Sequence, residues 1–459
     1  MSTSETASID IEGLRARVRG PVTTPSDDHY DPQRKLFYGG IDSHPAALVR
    51  VNDSQDVAST IRFVRDNGIE LAVRSGGHSI AGHSTVDNGL VIDVRGLDQI
   101  QIDAGSRTAW TGTGVTAGEY TNAAGEYGLG TGFGDTGSVG IGGITLGGGV
   151  GFLVRQHGLT IDSLLAAEIV TADGEILMVD ENNHPELFWA IRGGGGNFGV
   201  VTGFRFALHP VDPFVGGFLM LPGTSEVVQG FVELSASAPE ELSTIANVMT
   251  APPMPFIPED LVGQTVVFGI LAWSGEVAPG LQMMDRYRAL GEPLVDMVDV
   301  IPYPQIYQAE DEDYAPTAAA LTGFTDELTE RNVSASLDAI ASSDAPMRVV
   351  QLRALGGAMA RVADGATAFA HRRRKLMVNV AAFYEGAEDR PHREEWVKNL
   401  AAVLTEGDDS GYVGFLGPEG PDRVRAAYPG QTWDRLRRVK AVYDPDNVFH
   451  RNQNIPPAV

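Results

Sequence analysis

The sequence contains no cysteine, which excludes disulfide bonds and thiolate-bound zinc. Lysine is nearly absent too, since the chain has only Lys35, Lys375, Lys398 and Lys440. A formal net charge of −26 would repel nucleic acid and anionic membrane surfaces. No apolar run approaches the roughly 20 residues of a membrane span, and residues 1–9 are polar and acidic, unlike a signal peptide. These absences predict a soluble cytoplasmic protein that acts on small molecules and has no metal site.

Glycine, in contrast, is abundant, with 55 of 459 residues. One cluster is the hexad Arg-Ser-Gly-Gly-His-Ser, residues 74–79, which follows an apolar run ending at Val73. A Gly-Gly turn at the end of a buried strand lets several backbone N–H groups point at one ligand, because neither residue has a Cβ. A pyrophosphate would suit such a turn. By itself the hexad is also compatible with an ordinary glycine turn.

The pattern around the hexad predicts an α+β arrangement. We expect a strand over residues 45–51, a helix capped by Asp53 and running to about Asn67, and strands over residues 70–73 and 90–94. No helical pattern follows the glycine turn, so the order is β-α-β-loop-β. This order favours an α+β fold over a doubly wound sheet.

Residues 130–151 hold the densest glycine, interleaved with apolar residues such as Val139, Ile141 and Leu146. A flexible linker would be polar and repetitive, so this segment predicts backbone packed against a large flat ligand. Downstream we expect a hairpin with an Asp-Gly turn, a short helix, a second glycine cluster and a strand, at residues 165–177, 185–191, 193–196 and 197–206.

Beyond residue 212 the glycine content falls and a different region begins. It includes an acidic loop at residues 310–313, a strand-like segment at 378–383, and a terminal helix near Trp433 followed by a closing loop. Its apolar and aromatic residues favour a pocket for a neutral small molecule, although they are also compatible with ordinary core; they are Met249, Pro253, Met254, Phe256, Ile257, Tyr303 and Tyr307.

Five separated motifs together resemble the berberine-bridge-enzyme-like branch of the vanillyl-alcohol-oxidase and p-cresol-methylhydroxylase flavoprotein family. They occur in the family's order, at residues 74–79, 139–149, 162–174, 187–199 and 443–453. The resemblance implies a two-subdomain α+β FAD-binding domain, residues 1–211, and a substrate-binding domain, residues 212–410, whose antiparallel sheet is covered by helices. Residues 411–459 would return to the FAD domain.

The resemblance also implies that FAD is attached covalently through His78. Thr136 stands where many members have a second, cysteinyl attachment, so one link is the most this chain can make. His83 is interpreted as a loop residue. The remaining residues expected to contact FAD are Arg74, Ser75, Gly76, Gly77, Ser79, Gly82, Thr136, Gly137, Val139, Gly140, Gly142, Gly143, Gly149, Gly199, Val201 and Asn452.

The implied activity is that of an oxidase. A hydride would pass from an alcohol, an amine or an aromatic natural product to FAD, and dioxygen would reoxidise the flavin to give hydrogen peroxide. The protein would act as a monomer or homodimer. In the family the position of Val139 lies where dioxygen meets the flavin, and a compact side chain there permits oxidase chemistry.

The resemblance does not identify a catalytic base. Berberine-type members have a tyrosine two residues after the linked histidine and a carboxylate just before a Gly-Gly pair, whereas this chain has Ile80 and Arg353. Remaining candidates facing the flavin, each also compatible with an ordinary sheet or loop residue, are Gln351, Arg353, Asn379, Tyr384, Glu385, Tyr412 and Asn452.

Other functions stay open. The chain could be a flavin dehydrogenase with a non-oxygen acceptor, a sugar oxidase of the same family, or a flavin carrier without enzymatic activity. A Rossmann reductase is excluded, because no Gly-x-Gly-x-x-Gly motif opens a helix after the first strand.

Overall fold

The computed structural model describes residues 9–307 and 314–459. The expected acidic loop at residues 310–313, and nearly all of the polar N-terminus, lie outside the described residues.

The first region contains a small four-stranded sheet. Its elements are α1 (Ile11–Arg15), β1 (Val22–Thr23), α2 (Tyr30–Arg34), β2 (Ala47–Arg50), α3 (Ser54–Asn67), β3 (Leu71–Arg74) and β4 (Leu90–Asp93). The strand order is β1-β2-β4-β3, and β4 is parallel to both β2 and β3. Helix α3 begins after Asp53, whose carboxylate accepts hydrogen bonds from the amides of Gln55 and Asp56. The predicted β-α-β-loop-β order is confirmed.

The second region forms a five-stranded sheet of order β5-β6-β10-β8-β9 and a two-stranded sheet of β7 and β11. Its elements are β5 (Ile100–Asp103), β6 (Thr108–Gly112), α4 (Ala117–Gly125), β7 (Leu129–Gly130), α5 (Ile141–Gly147), α6 (Val154–His157), β8 (Leu164–Val170), β9 (Ile176–Val179), α7 (Pro185–Ile191), β10 (Val200–Ala207) and β11 (His209–Pro210).

The hairpin prediction is confirmed, because β8 and β9 pair antiparallel across a turn in which Gly174 has φ +79°. The glycine-rich segment differs from expectation in one respect. Residues 141–147 form helix α5, which their glycine content does not predict, since glycine is unfavourable inside helices.

The third region is an eight-stranded antiparallel sheet. Its elements are β12 (Phe214–Pro222), α8 (Ser225–Ser237), β13 (Leu242–Thr250), β14 (Thr265–Ser274), α9 (Val277–Arg288), β15 (Val295–Asp296), β16 (Asp299–Ile301), β17 (Ala318–Thr325), α10 (Glu330–Ser342), β18 (Arg348–Ala354), α11 (Ala358–Arg361), β19 (Leu376–Phe383) and α12 (Arg390–Leu404). Seven strands follow the order β15-β12-β14-β13-β18-β19-β17, and β16 also pairs with β12.

One face of this sheet is covered by helices. Val350 and Leu352 of β18 and Val378 and Val380 of β19 belong to a core shared with α8, α9, α10 and α12. Because side chains alternate along a strand, the intervening residues point to the opposite face. That face forms one wall of the cavity described below.

The chain ends with α13 (Pro421–Ala427), α14 (Gln431–Tyr443) and a closing segment. Leu416, Val424, Leu436 and Ile455 pack in the same core as the five-stranded sheet. The tail therefore returns to the first half of the chain, and the α+β fold class with its antiparallel, helix-covered sheet is confirmed. The domain boundaries after residues 211 and 410 stay a prediction.

Candidate active site

A cavity of about 540 Å³ lies where the glycine-rich loops, the uncovered face of the eight-stranded sheet and the closing segment meet. Its volume falls within the usual range for small-molecule sites. The loops of the first two regions form what we call the floor, residues 75–79 and 134–147. Strands β17, β18 and β19 form what we call the roof.

The hexad leaves strand β3 as expected and lies on the floor. Ser75, Gly76, Gly77, His78 and Ser79 all line the cavity. A Cβ on Gly76 would overlap the backbone nitrogen of Gly140, so only glycine allows these two loops to touch. Gly77 has φ +79°, a conformation that side chains disfavour.

Arg74 has a different place from the one expected. It is buried beneath the hexad and donates hydrogen bonds to the carbonyls of Gln33 and Lys35. Burial lowers the pKa of Arg74 to about 10. Because Arg74 does not line the cavity, it supports the hexad from behind.

His78 faces the cavity with its ring held on two sides. The ring stacks on Phe37 with centroids 4.1 Å apart and planes 19° apart. Its Nε2 lies 3.0 Å from the Ser138 hydroxyl oxygen. His83 also lines the cavity, and burial lowers its pKa to about 4, so it is neutral at physiological pH.

The glycine-rich segment supplies most of the floor. Thr136, Val139, Gly140, Gly142 and Gly143 line the cavity, whereas Gly82, Gly137 and Gly149 do not. The Gly137 carbonyl accepts a hydrogen bond from the amide of Gly118, and the Gly149 amide donates to the Tyr412 hydroxyl at 3.0 Å. Gly137 and Gly149 therefore fix the conformation of the loops and do not form part of the cavity surface.

The far end of the cavity is built by the strand that follows the second glycine cluster and by the tail. Gly199, Val201 and Asn452, which are expected to contact FAD, line it. The sequence did not identify Asn197 or Gln453, which line it as well. A buried Lys440 supports this end by donating to the carbonyls of Asn197 and Phe449, at 2.7 and 2.9 Å.

The roof carries three of the expected catalytic candidates. Gln351, Arg353 and Asn379 line the cavity, and so does Tyr412 from the closing segment. Tyr384 does not; it packs against the helix-covered core on the other side of the sheet. Glu385 is exposed outside the cavity, because β19 ends at Phe383 and the chain turns away.

Sequence reasoning missed Asp135, whose carboxylate lines the cavity. Its Oδ2 accepts a hydrogen bond from Arg353 Nη2 at 2.6 Å. Arg353 Nε donates to Gln351 Oε1 at 2.9 Å, and Gln351 Nε2 donates to Asn247 Oδ1 at 3.0 Å. A signal for Asp135 existed, since it is the single acidic residue in residues 130–151.

The apolar residues expected to form the pocket wall do not line the cavity. Met249 and Ile257 belong to a separate core with Met220, and Met254 is 40% exposed. Tyr303 is fully buried in another core. The apolar lining of the roof is instead formed by Ala318, Ala320, Val349, Ala381 and Phe383, and larger residues such as Phe37, Ile144 and Leu146 line the cavity elsewhere.

These features fit a large, flat cofactor such as FAD. Gly143 and Gly196 line the cavity, and a Cβ on either would meet no protein atom within 4 Å. A side chain there would project into the space that the cofactor needs. In the described ranges no cluster of three metal-binding side chains occurs, and none of the described helices is long and apolar enough to cross a bilayer.

Known proteins resemble this chain in sequence and in fold. Residues 45–180 match the FAD binding domain family, and residues 411–456 match the family described as berberine and berberine like. The (R)-6-hydroxynicotine oxidase of Paenarthrobacter nicotinovorans is 30% identical over 455 residues, covering 96% of this chain and 97% of that enzyme.

Two solved structures are similar throughout. The 6-hydroxy-D-nicotine oxidase of Arthrobacter nicotinovorans has a TM-score of 0.84 at 26% identity, over 96% of this chain and 98% of that one. The glucooligosaccharide oxidase of Acremonium strictum, which carries a 6-S-cysteinyl, 8α-N1-histidyl FAD, has a TM-score of 0.85 at 21% identity, over 98% of this chain and 100% of its own. At that identity the second likeness concerns the fold alone.

Proposed function

Because the chain belongs to the berberine-bridge-enzyme-like family of FAD-linked oxidoreductases, we propose that it is an oxidase with FAD bound covalently through His78. Its substrate would be a small alcohol, amine or aromatic natural product, and dioxygen would be reduced to hydrogen peroxide. One observation carries this proposal: the ring of His78 is held in place by Phe37 and Ser138 and lies among glycines that line the floor of the cavity.

Three features support attachment at His78. The stack on Phe37 and the Ser138 hydroxyl at 3.0 Å restrict rotation of the ring. The neighbouring glycines allow a flat ring system to approach the backbone. A protein of the same fold carries a histidyl FAD. A second, cysteinyl bond is excluded because the chain has no cysteine.

When bound, FAD supplies a two-electron acceptor that dioxygen can reoxidise. The protein's own residues would hold the substrate between floor and roof, where Gln351, Arg353 and Asn379 offer polar contacts. Burial raises the pKa of Tyr412 and of Tyr38 to about 12. Both phenols therefore keep their protons at neutral pH and act as hydrogen-bond donors rather than bases. Tyr384 lies behind the sheet, outside the cavity lining, and has no role in this proposal.

We assign Val139 as the side chain that controls access of dioxygen. It lines the cavity beside Gly140, Gly142 and Gly143, which carry no side chains, and Ile144 and Leu146 line the floor beyond them. Its carbonyl accepts a hydrogen bond from the amide of Ala117 at 2.8 Å, which fixes the backbone. A larger side chain at this position would therefore narrow the cavity without redirecting the chain.

The covalent link is tested by mass and colour. We expect wild-type protein to stay yellow after acid precipitation and to show the mass of the chain plus one FAD. His78→Ala should release any flavin on precipitation. His83→Ala is the matched control, because His83 also lines the cavity, and it should keep the flavin attached. A wild-type mass equal to that of the bare chain would refute the link.

The reaction is tested by anaerobic reduction of the flavin with alcohols, amines, aromatic compounds and free sugars. Reduction by one of the first three classes, followed by peroxide formation in air, would support the proposal. Reduction by sugars only would favour a sugar oxidase. A reduced flavin that air does not reoxidise would favour a dehydrogenase.

A further inference from the structure

We propose that Asp135 selects the substrate of this oxidase. Its carboxylate accepts a hydrogen bond from an O–H or N–H group of the substrate, while Arg353 holds the carboxylate in place through a 2.6 Å contact. This inference rests on the proposed function, because it concerns the same cavity, and it names the chemical feature that a substrate needs there.

Asp135 is the only carboxylate among the described residues that line the cavity. The titratable side chains of His83, Tyr38 and Tyr412 also line the cavity, but none of them carries a negative charge. His83 is neutral, because burial lowers its pKa to about 4. Tyr38 and Tyr412 retain their protons, because burial raises the pKa of each to about 12. Asp135 is therefore the strongest hydrogen-bond acceptor available to a ligand in this cavity.

The ion pair leaves part of Asp135 unused. Arg353 has a side chain only 5% exposed, and it reaches Asp135 through one nitrogen, from Nη2 to Oδ2 at 2.6 Å. Its other hydrogen bonds go to Gln351 Oε1 and to the carbonyl of Val150, and its guanidinium lies 5.2 Å from the centroid of the Phe415 ring. Among the described residues, Oδ1 of Asp135 has only a 3.5 Å contact with the Thr136 hydroxyl. Because the Asp135 side chain is 22% exposed within the cavity, a ligand can reach it.

Asp135 lies at the seam between floor and roof. Its loop is fixed on one side by Tyr307, whose hydroxyl donates to the Gly134 carbonyl at 3.3 Å. On the other side Ser138 lies beside His78. Arg353 reaches down from strand β18 of the roof. A substrate held between a flavin attached at His78 and the roof would therefore lie beside Asp135.

A second acceptor points to the same kind of ligand. Asn379 lines the cavity on strand β19, opposite Gln351. Its Oδ1 is buried with no hydrogen-bond partner in the described part of the chain. Beyond these polar residues the roof is apolar, at Ala320, Val349, Ala381 and Phe383. The chamber thus suits a flat apolar body that carries a donor group at one edge.

A ligand that lacks a hydrogen-bond donor should bind much more weakly than one that has it. An ionised carboxylate only accepts hydrogen bonds, and a ligand without a donor would cover Oδ1 and leave it unsatisfied. Leaving a buried acceptor unsatisfied in this way weakens binding. We therefore expect a preference of roughly tenfold or more for a ligand with a donor over its methylated analogue.

The test uses phenol and anisole as binding probes for the flavin-containing holoenzyme. Phenol has an O–H donor, and anisole has a methoxy group in its place. Binding is followed by the change in flavin absorbance, so no turnover is needed. Wild type should bind phenol roughly tenfold more tightly than anisole or better.

Asp135→Ala combined with Arg353→Met should abolish the preference without leaving a buried unpaired charge. Asp135→Asn, which preserves shape, should reduce it and serves if the double variant does not fold. The control is Asp162→Asn, which breaks another buried pair, that of Asp162 with Arg372 at 2.6 Å, outside the cavity lining. This control should keep the full preference.

Equal binding of the two probes by wild type, or binding of neither, would overturn the assignment. So would a preference that survives in the double variant, or one that Asp135→Asn leaves undiminished. Failure of the oxidase proposal would look different. In that case the preference for phenol would persist while no compound reduced the flavin or while the reduced flavin gave no peroxide.

Discussion

Replacing Lys440 by methionine should destabilise the closing segment that completes the cavity. Lys440 and Asp444 are one helical turn apart, and both side chains are fully buried. The ammonium group donates to Asp444 Oδ2 at 2.6 Å and to the carbonyls of Asn197 and Phe449. Asp444 in turn accepts hydrogen bonds from the amides of Val448 and Phe449, at 2.7 and 2.9 Å.

Lys440→Met leaves the Asp444 carboxylate buried without its counter-ion. Breaking a buried ion pair from one side costs about 3–5 kcal/mol, and two backbone carbonyls also lose a donor. Arg390 and Glu394 form a control pair with the same i,i+4 spacing, but both side chains are 53% exposed. Arg390→Met should therefore cost only about 0.5 kcal/mol or less.

The assay is urea unfolding, combined with hydrogen exchange of peptides that cover residues 444–459. Lys440→Met should lower the unfolding midpoint and speed exchange in these peptides, whereas Arg390→Met should do neither. Adding Asp444→Asn to Lys440→Met removes the unpaired charge, so the double variant should be more stable than Lys440→Met alone. A double variant no more stable than the single one, or equal effects of Lys440→Met and Arg390→Met, would refute the reasoning.

Two further changes test the dioxygen path and the response to acid. Val139→Leu should slow reoxidation of the reduced flavin on the order of tenfold, which is about 1.4 kcal/mol of added barrier, and should leave anaerobic reduction nearly unchanged; equal stopped-flow reoxidation rates would remove the assignment. His371 donates a ring N–H toward the Ala427 carbonyl at 3.0 Å, and burial lowers its pKa to about 4. The unfolded chain therefore binds this proton between about pH 6.5 and 4 while the folded chain does not, so stability should fall as the pH is lowered through that window. His371→Gln should remove up to about 3 kcal/mol of this loss, and unchanged pH dependence of unfolding would contradict the interpretation.

The parts of the fold that could be predicted are those set by neighbouring residues. The cap at Asp53, the Asp-Gly turn at Gly174 and the alternation of apolar residues along the strands act over a few positions. Helix α5 could not be predicted in this way. Its many glycines disfavour a helix, and the contact of Gly76 with Gly140, which brings the hexad against the start of α5, joins residues far apart in the sequence.

The floor of the site was more predictable than the roof, because the floor is also built from residues that are close together in the sequence. His78 and its glycines lie within one short motif, and most of the residues expected there line the cavity. Tyr384 and Tyr412 illustrate the difficulty, because the sequence makes both plausible cavity residues. Strand β19 ends at Phe383, and the position of Tyr384 just after that end is visible only in the structure. Tyr384 passes behind the sheet, whereas Tyr412 returns to the cavity.

The pairing of Asp135 with Arg353 was the feature least predictable from the sequence, since 218 positions separate the two residues. It depends on the register of β18, in which Gln351 lies opposite Asn379 and Arg353 opposite Met377. A slip of one residue would turn Arg353 toward the helix-covered core and place Leu352 over the cavity. The whole sheet holds that register, because Val350 and Leu352 are packed beneath the helices. The helix-covered core thus determines which charge faces the floor, and Asp135 is the residue that meets it.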